Sequence, residues 1–319
     1  MRKLLMTMTI LLTIIMLAGY GWAETRTLKV STGSMGGGFY PIGGGIASYI
    51  SKNVPNARAT AVTSGGVNEN ITRLNMKTAD IGLVSSGDSY AAFRGIPPYK
   101  KKYDKMRSMG VLYRALSQNY CLKKSGIKTY ADLRGKTACG GAPGGTLYKF
   151  LIDIVGIHGI DAKKDMKVVF MPHKDALDAV KTGQVDAAFI NPTIPAPVIV
   201  ELSLTRDVHL IRYGPGLRDK LVKEKPKYLP MTVPGGTYKG IDDDVETIGM
   251  AVLWACREDL PDDLVYQIVK SIYSPDGLAH LGKVHRAAKG IRLENAAKWV
   301  PFPIHPGAEK FFREKGLLK

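Results

Sequence analysis

Leu28-Lys29-Val30-Ser31-Thr32-Gly33-Ser34-Met35-Gly36-Gly37-Gly38-Phe39-Tyr40-Pro41-Ile42-Gly43-Gly44-Gly45 reads as a strand, a glycine-rich turn and the start of a helix. Leu28 to Thr32 is a short apolar run, and Ile42, Ile46, Tyr49 and Ile50 recur at helical spacing. Pro41 stands where a first-turn proline is tolerated. Unpaired amides and the positive end of the helix dipole make such a start an anion site, and glycines let a ligand reach the backbone. The dinucleotide-binding spacing fails here. Gly36 and Gly38 would demand a third glycine where Pro41 stands, and no Asp or Glu occurs from Thr25 to Asn68 to hold a ribose hydroxyl.

The same alternation continues along the chain. Strands are expected at Leu28 to Thr32, Arg58 to Val62, Ile81 to Val84, Thr137 to Cys139, Val168 to Met171, Ala187 to Asn191, Val208 to Ile211 and Thr247 to Cys256, with helical patterns between them. This predicts an α/β protein with largely parallel sheets. Two further loops resemble the first in character. Thr63-Ser64-Gly65-Gly66 precedes a helix beginning near Val67 or Asn68, with Ser64 as a plausible N-cap. Gly140-Gly141-Ala142-Pro143-Gly144-Gly145-Thr146 precedes another, but Leu147 and Tyr148 replace the Lys-Ser/Thr ending of a P-loop, which argues against ATP. Gly95 to Arg107 reads as a surface loop closing a first unit, a second unit begins near Ser125, and a long apolar strand after Thr247 opens a third stretch. Two lobes follow, with the chain crossing between them at least twice. Three hydroxyl- and glycine-rich loops at strand ends, two on one lobe and one on the other, point to a shared cleft.

Composition narrows the class. The 319 residues carry a formal charge of +17, or +15 once Arg2 and Lys3 are removed from that count. No ladder of aromatics alternates with the bases, so nucleic acid is not the expected partner. Arg2, Lys3, the apolar run Leu4 to Ala18 and the small residues around Ala23 read as a secretory signal peptide over residues 1–23, giving a periplasmic mature protein. Cys121 and Cys139 could form a disulfide or remain buried thiols. The six histidines show no metal-ligand spacing, and no Gly-x-Ser-x-Gly elbow occurs. Asp242-Asp243-Asp244 reads as a solvated turn, and Pro234-Gly235-Gly236-Thr237 as a turn or a fourth ligand loop. No catalytic set, metal or cofactor is expected.

Taken in order, Ser31 to Gly43, Thr63 to Asn70, Ala79-Asp80-Ile81-Gly82-Leu83-Val84, Gly140 to Gly144, Gly183-Gln184-Val185-Asp186-Ala187-Ala188-Phe189, Asp259 to Tyr266 and Ile304-His305-Pro306-Gly307-Ala308 resemble the TAXI group of solute-binding proteins, the periplasmic components of tripartite ATP-independent periplasmic (TRAP) transporters. The resemblance implies a type II-like periplasmic binding protein, a monomer of Venus-flytrap form. Its lobe 1 would comprise residues 24–113 plus 249–319 and its lobe 2 residues 114–248. It implies a small organic anion as ligand, a dicarboxylate such as 2-oxoglutarate or glutamate, and TRAP membrane subunits as partner. A sensory role for the same fold is the alternative. The ligand-binding residues it implies are Gly38, Phe39, Tyr40, Ser64, Gly65, Asn68, Ser85, Ser86, Gly144, Gly145, Thr146, Asn191, Pro192 and Thr193. Ser85-Ser86-Gly87 stands where the family often has Gln-Ser-Asp, and Gly144-Gly145-Thr146-Leu147 where it often has Gly-Ser-Gly-Thr-Glu.

Overall fold

Ile42, Ile46 and Ile50 fall one turn apart and are all fully buried, so the first helix lays one apolar stripe on the strand before it. A computed structural model describes residues 25–33, 35, 38–97, 99–141, 143 and 145–319. The leader expected at residues 1–23 lies outside the described residues, as do Ser34, Gly36, Gly37, Ala142 and Gly144. The first unit runs β1 (Arg26–Ser31), α1 (Phe39–Asn53), β2 (Ala57–Val62), α2 (Val67–Asn75), β3 (Ile81–Ser85), α3 (Ser86–Arg94) and β4 (Met106–Leu116). A second follows with β5 (Tyr120–Leu122), β6 (Thr137–Cys139), α4 (Thr146–Ile157), β7 (Lys167–Val169), α5 (His173–Thr182), β8 (Ala187–Ala188), α6 (Pro197–Thr205), β9 (Val208–Leu210), α7 (Leu217–Glu224) and β10 (Leu229–Val233). The chain returns through β11 (Val245–Arg257) and ends in α8 (Asp262–Ile272), α9 (Pro275–Val284) and α10 (Pro306–Glu314).

Two sheets result, one per lobe. The first has the order β10-β11-β3-β1-β2, with β4 paired to the other edge of β11; the second has the order β7-β6-β8-β5-β9. Each is covered on both faces. Residues of α1, α8, α9 and α10 share one core with Leu28, Val30 and Trp254, and α2 and α3 share another with Val84 and Leu253. In the second sheet α5 and α6 cover one face, and α4 and α7 the other. The expectation of largely parallel sheets needs correction. β1, β2 and β3 are parallel, as are β6, β7 and β8, but β4, β5, β9, β10 and β11 take part in antiparallel pairs. The antiparallel strands are those that carry the chain between lobes or flank that passage, and a chain that goes out and comes back must run in opposite directions.

β4 was not visible as a strand: its start falls within the stretch Gly95 to Arg107 expected to be loop, and Arg107, Gly110 and Arg114 interrupt its apolar pattern. It pairs with β11 from Met106↔Arg257 to Leu116↔Gly249, with two register shifts. Across each shift the partner skips one residue of β4, Leu112 and then Met109, so the strand carries two bulges that increase its twist. The strand expected over Ala187 to Asn191 shortens to Ala187–Ala188; Phe189 N still donates to Cys139 O at 2.9 Å, and Ile190 turns to the crossing, where its O accepts from Gln118 N. There Ser117, Gln118 and Asn119 are all 3% exposed or less, yet each is hydrogen-bonded. Ser117 N donates to Ile248 O at 2.9 Å, Gln118 N to Ile190 O at 3.0 Å, and Ile190 N to Asn119 Oδ1 at 3.1 Å.

All three cysteines are buried and free. β8 lies between β5 and β6, with Cys121 opposite Ala187 and Cys139 opposite Ala188. Two inter-strand steps put the thiol-bearing residues about 10 Å apart, beyond the Cα separation of about 4.4–6.8 Å that a disulfide spans. The Pro234 to Thr237 segment forms a turn, where Asp244 Oδ1 accepts from Gly235 N at 2.8 Å.

Gly110 tests the crossing strands. Its φ of +124° is rare for any L side chain, and an added Cβ would lie 2.6 Å from Tyr273 Oη and 2.9 Å from Phe312 Cζ. Gly110→Ala is expected to lower unfolding free energy by about 2–4 kcal/mol, read by urea denaturation. An unchanged midpoint would mean that the bulged strand adapts freely.

Candidate functional site

Asn70 organises one wall of the cleft. Its side chain is fully buried, and all of its hydrogen-bonding capacity is used. Nδ2 donates to Thr32 O and Leu83 O, both at 2.7 Å. Oδ1 accepts from Ser31 Oγ and Ser64 Oγ, both at 2.7 Å. One residue of α2 thereby fixes the ends of β1 and β3 and the loop after β2. Ser64 does not cap α2 as expected. Gly66 is the N-cap residue, and Ser64 Oγ accepts from Gly66 N at 3.1 Å while reaching back to Thr32 O. Ser64 stands two residues before the cap position, and its hydroxyl serves the loop and Asn70 instead.

The glycines after β1 divide into two tasks. Gly38 is the N-cap residue of α1, in contact with the side chain of His285. Gly43 belongs to packing, since a Cβ there would fall 2.2 Å from Thr32 Cγ2. That lets α1 lie close on β1 and brings its first-turn amides, which have no intrahelical partner, to the end of the sheet.

A cavity of about 420 Å³ opens where the two lobes meet. It is lined from the first lobe by Gly33, Gly38, Phe39, Ser64, Gly65, Gly66, Val67, Asn68 and Asp88, and from the second by Thr146 and Lys149. Gly38, Phe39, Ser64, Gly65, Asn68 and Thr146, six of the residues anticipated, thus meet at one place. The first turns of α1, α2 and α4 all reach it, so three positive dipole ends face the same volume as the Lys149 ammonium. Gly145, the N-cap of α4, lines a neighbouring cavity that shares Thr146.

Other expected residues sit elsewhere. Tyr40 lies on α1 outside the cavity lining. Ser85 caps α3, its Oγ accepting from Asp88 N at 3.1 Å and meeting Asp88 Oδ2 at 2.5 Å. Ser86 Oγ accepts from Ala251 N of β11 at 3.1 Å. Both hydroxyls are occupied by the fold. Asn191, Pro192 and Thr193 form the corner after β8, where Pro192 O accepts from Leu116 N at 3.0 Å and both Pro192 O and Thr193 O face Gln118 Nε2. Asn191 Oδ1 is buried without a partner among the described residues. Lys149, Asp88 and His285 were missed. Lys149 follows Thr146 by three residues and shares its helix face, so helical spacing could have found it; Asp88 and His285 reach the site only through tertiary folding.

One acidic group competes for the loop amides. Glu69 Oε2 accepts from Gly65 N at 2.6 Å, and Oε1 lies 2.5 Å from Arg73. The Gly65 amide, and after it the Arg73 guanidinium, hold the Glu69 carboxyl below its ordinary value of 4.5. Any anion approaching Gly65 meets an amide already engaged. Among the described residues no group of three or more His, Cys, Asp or Glu could hold a metal ion, and no helix is long and apolar enough to cross a membrane.

Two expected outcomes follow from these contacts. Asn70→Ala strands two hydroxyls and two carbonyls, so unfolding free energy falls by about 2–4 kcal/mol in urea denaturation; a loss under 1 kcal/mol would remove Asn70 from its central role. The Glu69 contribution is present above pH 4.5 and is lost as pH falls through the lowered value. A carboxyl NMR titration of Glu69 should give a midpoint below 4.5, shifted upward by Arg73→Gln; a midpoint at or above 4.5 would refute the tether.

Known structures share this architecture at low sequence identity. A Xanthomonas citri protein solved bound to ATP aligns with a TM-score of 0.53 at 12% identity, covering 91% of this chain and 96% of its own. MatC of Rhodopseudomonas palustris, solved with bound malate, gives 0.52 at 15% identity over 92% and 99%. PhnD1 of Prochlorococcus marinus, solved with methylphosphonate, gives 0.51 at 12% over 92% and 100%. The fold is therefore the two-lobed α/β fold of type II-like periplasmic solute-binding proteins. Residues 30–316 match the model of the NMT1-like family. With nearly the whole described chain inside that match, the protein belongs to the NMT1-like family.

Proposed function

We propose that this protein is the periplasmic solute-binding subunit of a TRAP transporter of the TAXI type, which captures a small organic anion and delivers it to membrane subunits. The observation that carries the reading is the cavity of about 420 Å³ into which three helix N-termini and Lys149 converge from opposite lobes. In this assignment lobe 1 is residues 24–113 plus 249–319 and lobe 2 is residues 114–248, with both joins inside the long strands β4 and β11; β10, within the lobe 2 range, packs on the lobe 2 core while extending the first sheet through β11. The protein's role is binding rather than catalysis.

Binding divides between the lobes. Gly38, Phe39 and Asn68 offer amide donors from lobe 1, while Thr146 and Lys149 supply a hydroxyl and a cation from lobe 2. A carboxylate bridging the two sets closes the lobes around itself, and exclusion of water strengthens each charge-assisted bond. Closure converts occupancy into a shape that a membrane partner distinguishes from the open form. The TAXI resemblance suggests a dicarboxylate such as 2-oxoglutarate or glutamate as the ligand.

A thermal-shift screen of protein freed of ligand tests this. A carboxylate at a hundredfold excess over its Kd stabilises the native state by about 2.7 kcal/mol, raising the midpoint by several degrees. Lys149→Ala should weaken that carboxylate tenfold or more, given about 1.5–3 kcal/mol for a bond to a charged group, and leave the unliganded midpoint unchanged. If no carboxylate shifts the midpoint, the anion-capture reading fails.

A further inference from the structure

Next to the polar cavity lies a second one of about 570 Å³ that shares Thr146 with it. Its walls are of another kind: Pro143, Leu147, Phe170 and Met171 line it, with His173 at its edge. Phe170 keeps 40% of its surface exposed, unusual for a large apolar side chain in a well-packed lobe. Its ring is held edge-on by Tyr148 of α4, with centroids 5.2 Å apart and planes at 80°. An exposed ring fixed by a neighbour is a preformed surface for another aromatic or apolar group.

The second cavity belongs to the same cleft. Thr146 and Lys149 face the polar cavity from the first turn of α4, and Leu147 faces the apolar one from that same turn. Across the cleft His285 packs on Gly38, and Arg286 follows it in the turn Arg286–Gly290. Burial, and after it the charge of Arg286, pushes the His173 imidazole below its ordinary value. Each cavity falls in the ~300–1,000 Å³ range of ligand pockets, and the two, adjoining at Thr146, offer more room than a compact five-carbon diacid fills. Lys149 lines the polar cavity and Phe170 the apolar one, with Thr146 common to both.

We infer that the ligand is an amphipathic anion, with a carboxylate held at Thr146 and Lys149 and an aromatic or branched apolar group seated against Phe170 and Met171. This rests on the anion-capture reading and changes only the ligand class, from a diacid to a monocarboxylate with an apolar end.

Two 2-oxo acids of differing tail separate the possibilities: phenylpyruvate and 2-oxoglutarate, titrated calorimetrically into wild-type protein and Phe170→Ala. Phenylpyruvate is expected to bind at least tenfold more tightly than 2-oxoglutarate, and Phe170→Ala to reduce its affinity fivefold or more while changing that of 2-oxoglutarate less than twofold. Equal or tighter binding of 2-oxoglutarate, or phenylpyruvate binding that ignores Phe170→Ala, overturns the amphipathic ligand and leaves anion capture standing. Absence of heat with both acids, in protein whose unfolding midpoint is intact, overturns the amphipathic ligand, and silence across the wider carboxylate screen overturns anion capture as well.

Discussion

The antiparallel pairing of β4 with β11 is the constraint on which the rest of the molecule depends. Both passages of the chain between lobes run through these two strands, and β11 also borders β3 in one sheet while pairing β10 beyond it. The lobes therefore share a continuous hydrogen-bonded ladder rather than a loose linker. Just past β4 the ladder gives way to Ser117, Gln118 and Asn119, whose polar side chains are buried and satisfied by partners from the second lobe. Asn119 Nδ2 donates to Tyr130 Oη at 2.8 Å and to Ser117 Oγ at 2.9 Å, and Thr247 Oγ1 donates to Ser117 O at 2.5 Å. Buried polar groups that are fully paired specify one geometry, because any slip leaves them unpaired at a cost of about 1–3 kcal/mol each. Bending has to be absorbed by the bulged stretch of β4, where the ladder is already interrupted.

The cleft inherits its order from this frame. Asn70 ties three strand ends into one wall, and Gly43 lets α1 approach β1 closely enough for its amides to join that wall. The electrostatic character then follows without a dense cluster of basic side chains. Three helix starts and a single lysine supply positive potential, Glu69 is withdrawn by its pairing with Gly65 and Arg73, and the Asp88 carboxylate on the same lining accepts from Ser85 Oγ. The same contact makes Gly65 a guarded amide, so the loop keeps its form when nothing is bound.

How much of this could be read from the sequence differs from element to element. Thr137 to Cys139 emerges with the expected bounds, and the strand and the helix read within Leu28 to Gly45 are both present, where apolar run and isoleucine spacing agree with one another. β4 escaped because Arg107, Ser108, Gly110 and Arg114 break the apolar pattern; its bulges place residues by tertiary pairing rather than by strict alternation. Buried Ser117-Gln118-Asn119 carries no signal of its role, since polarity alone does not disclose partners that lie dozens of residues away. The glycine loops were legible as anion-binding candidates, but only folding separates the glycine that packs a helix onto a strand from those that line a cavity. Ser85 and Ser86 carried a signal of the right chemistry, and the fold spends both hydroxyls on α3 and β11.

The three cysteines carry a different consequence. Cys121 Sγ and Cys139 Sγ contact the carbonyls of Ile127 and Met171, and burial pushes the Cys121 thiol up to about 11 and raises that of Cys256 further. The thiolates of Cys121 and Cys256 are scarce and all three sulfurs are buried, so oxidants and alkylating reagents find little to attack in the native chain. No covalent bridge contributes to the architecture, and the same conformation is attainable in a reducing or an oxidising compartment. The thiols become reactive only as the cores around them open, which makes the rate of their alkylation a native clock for the opening of each lobe.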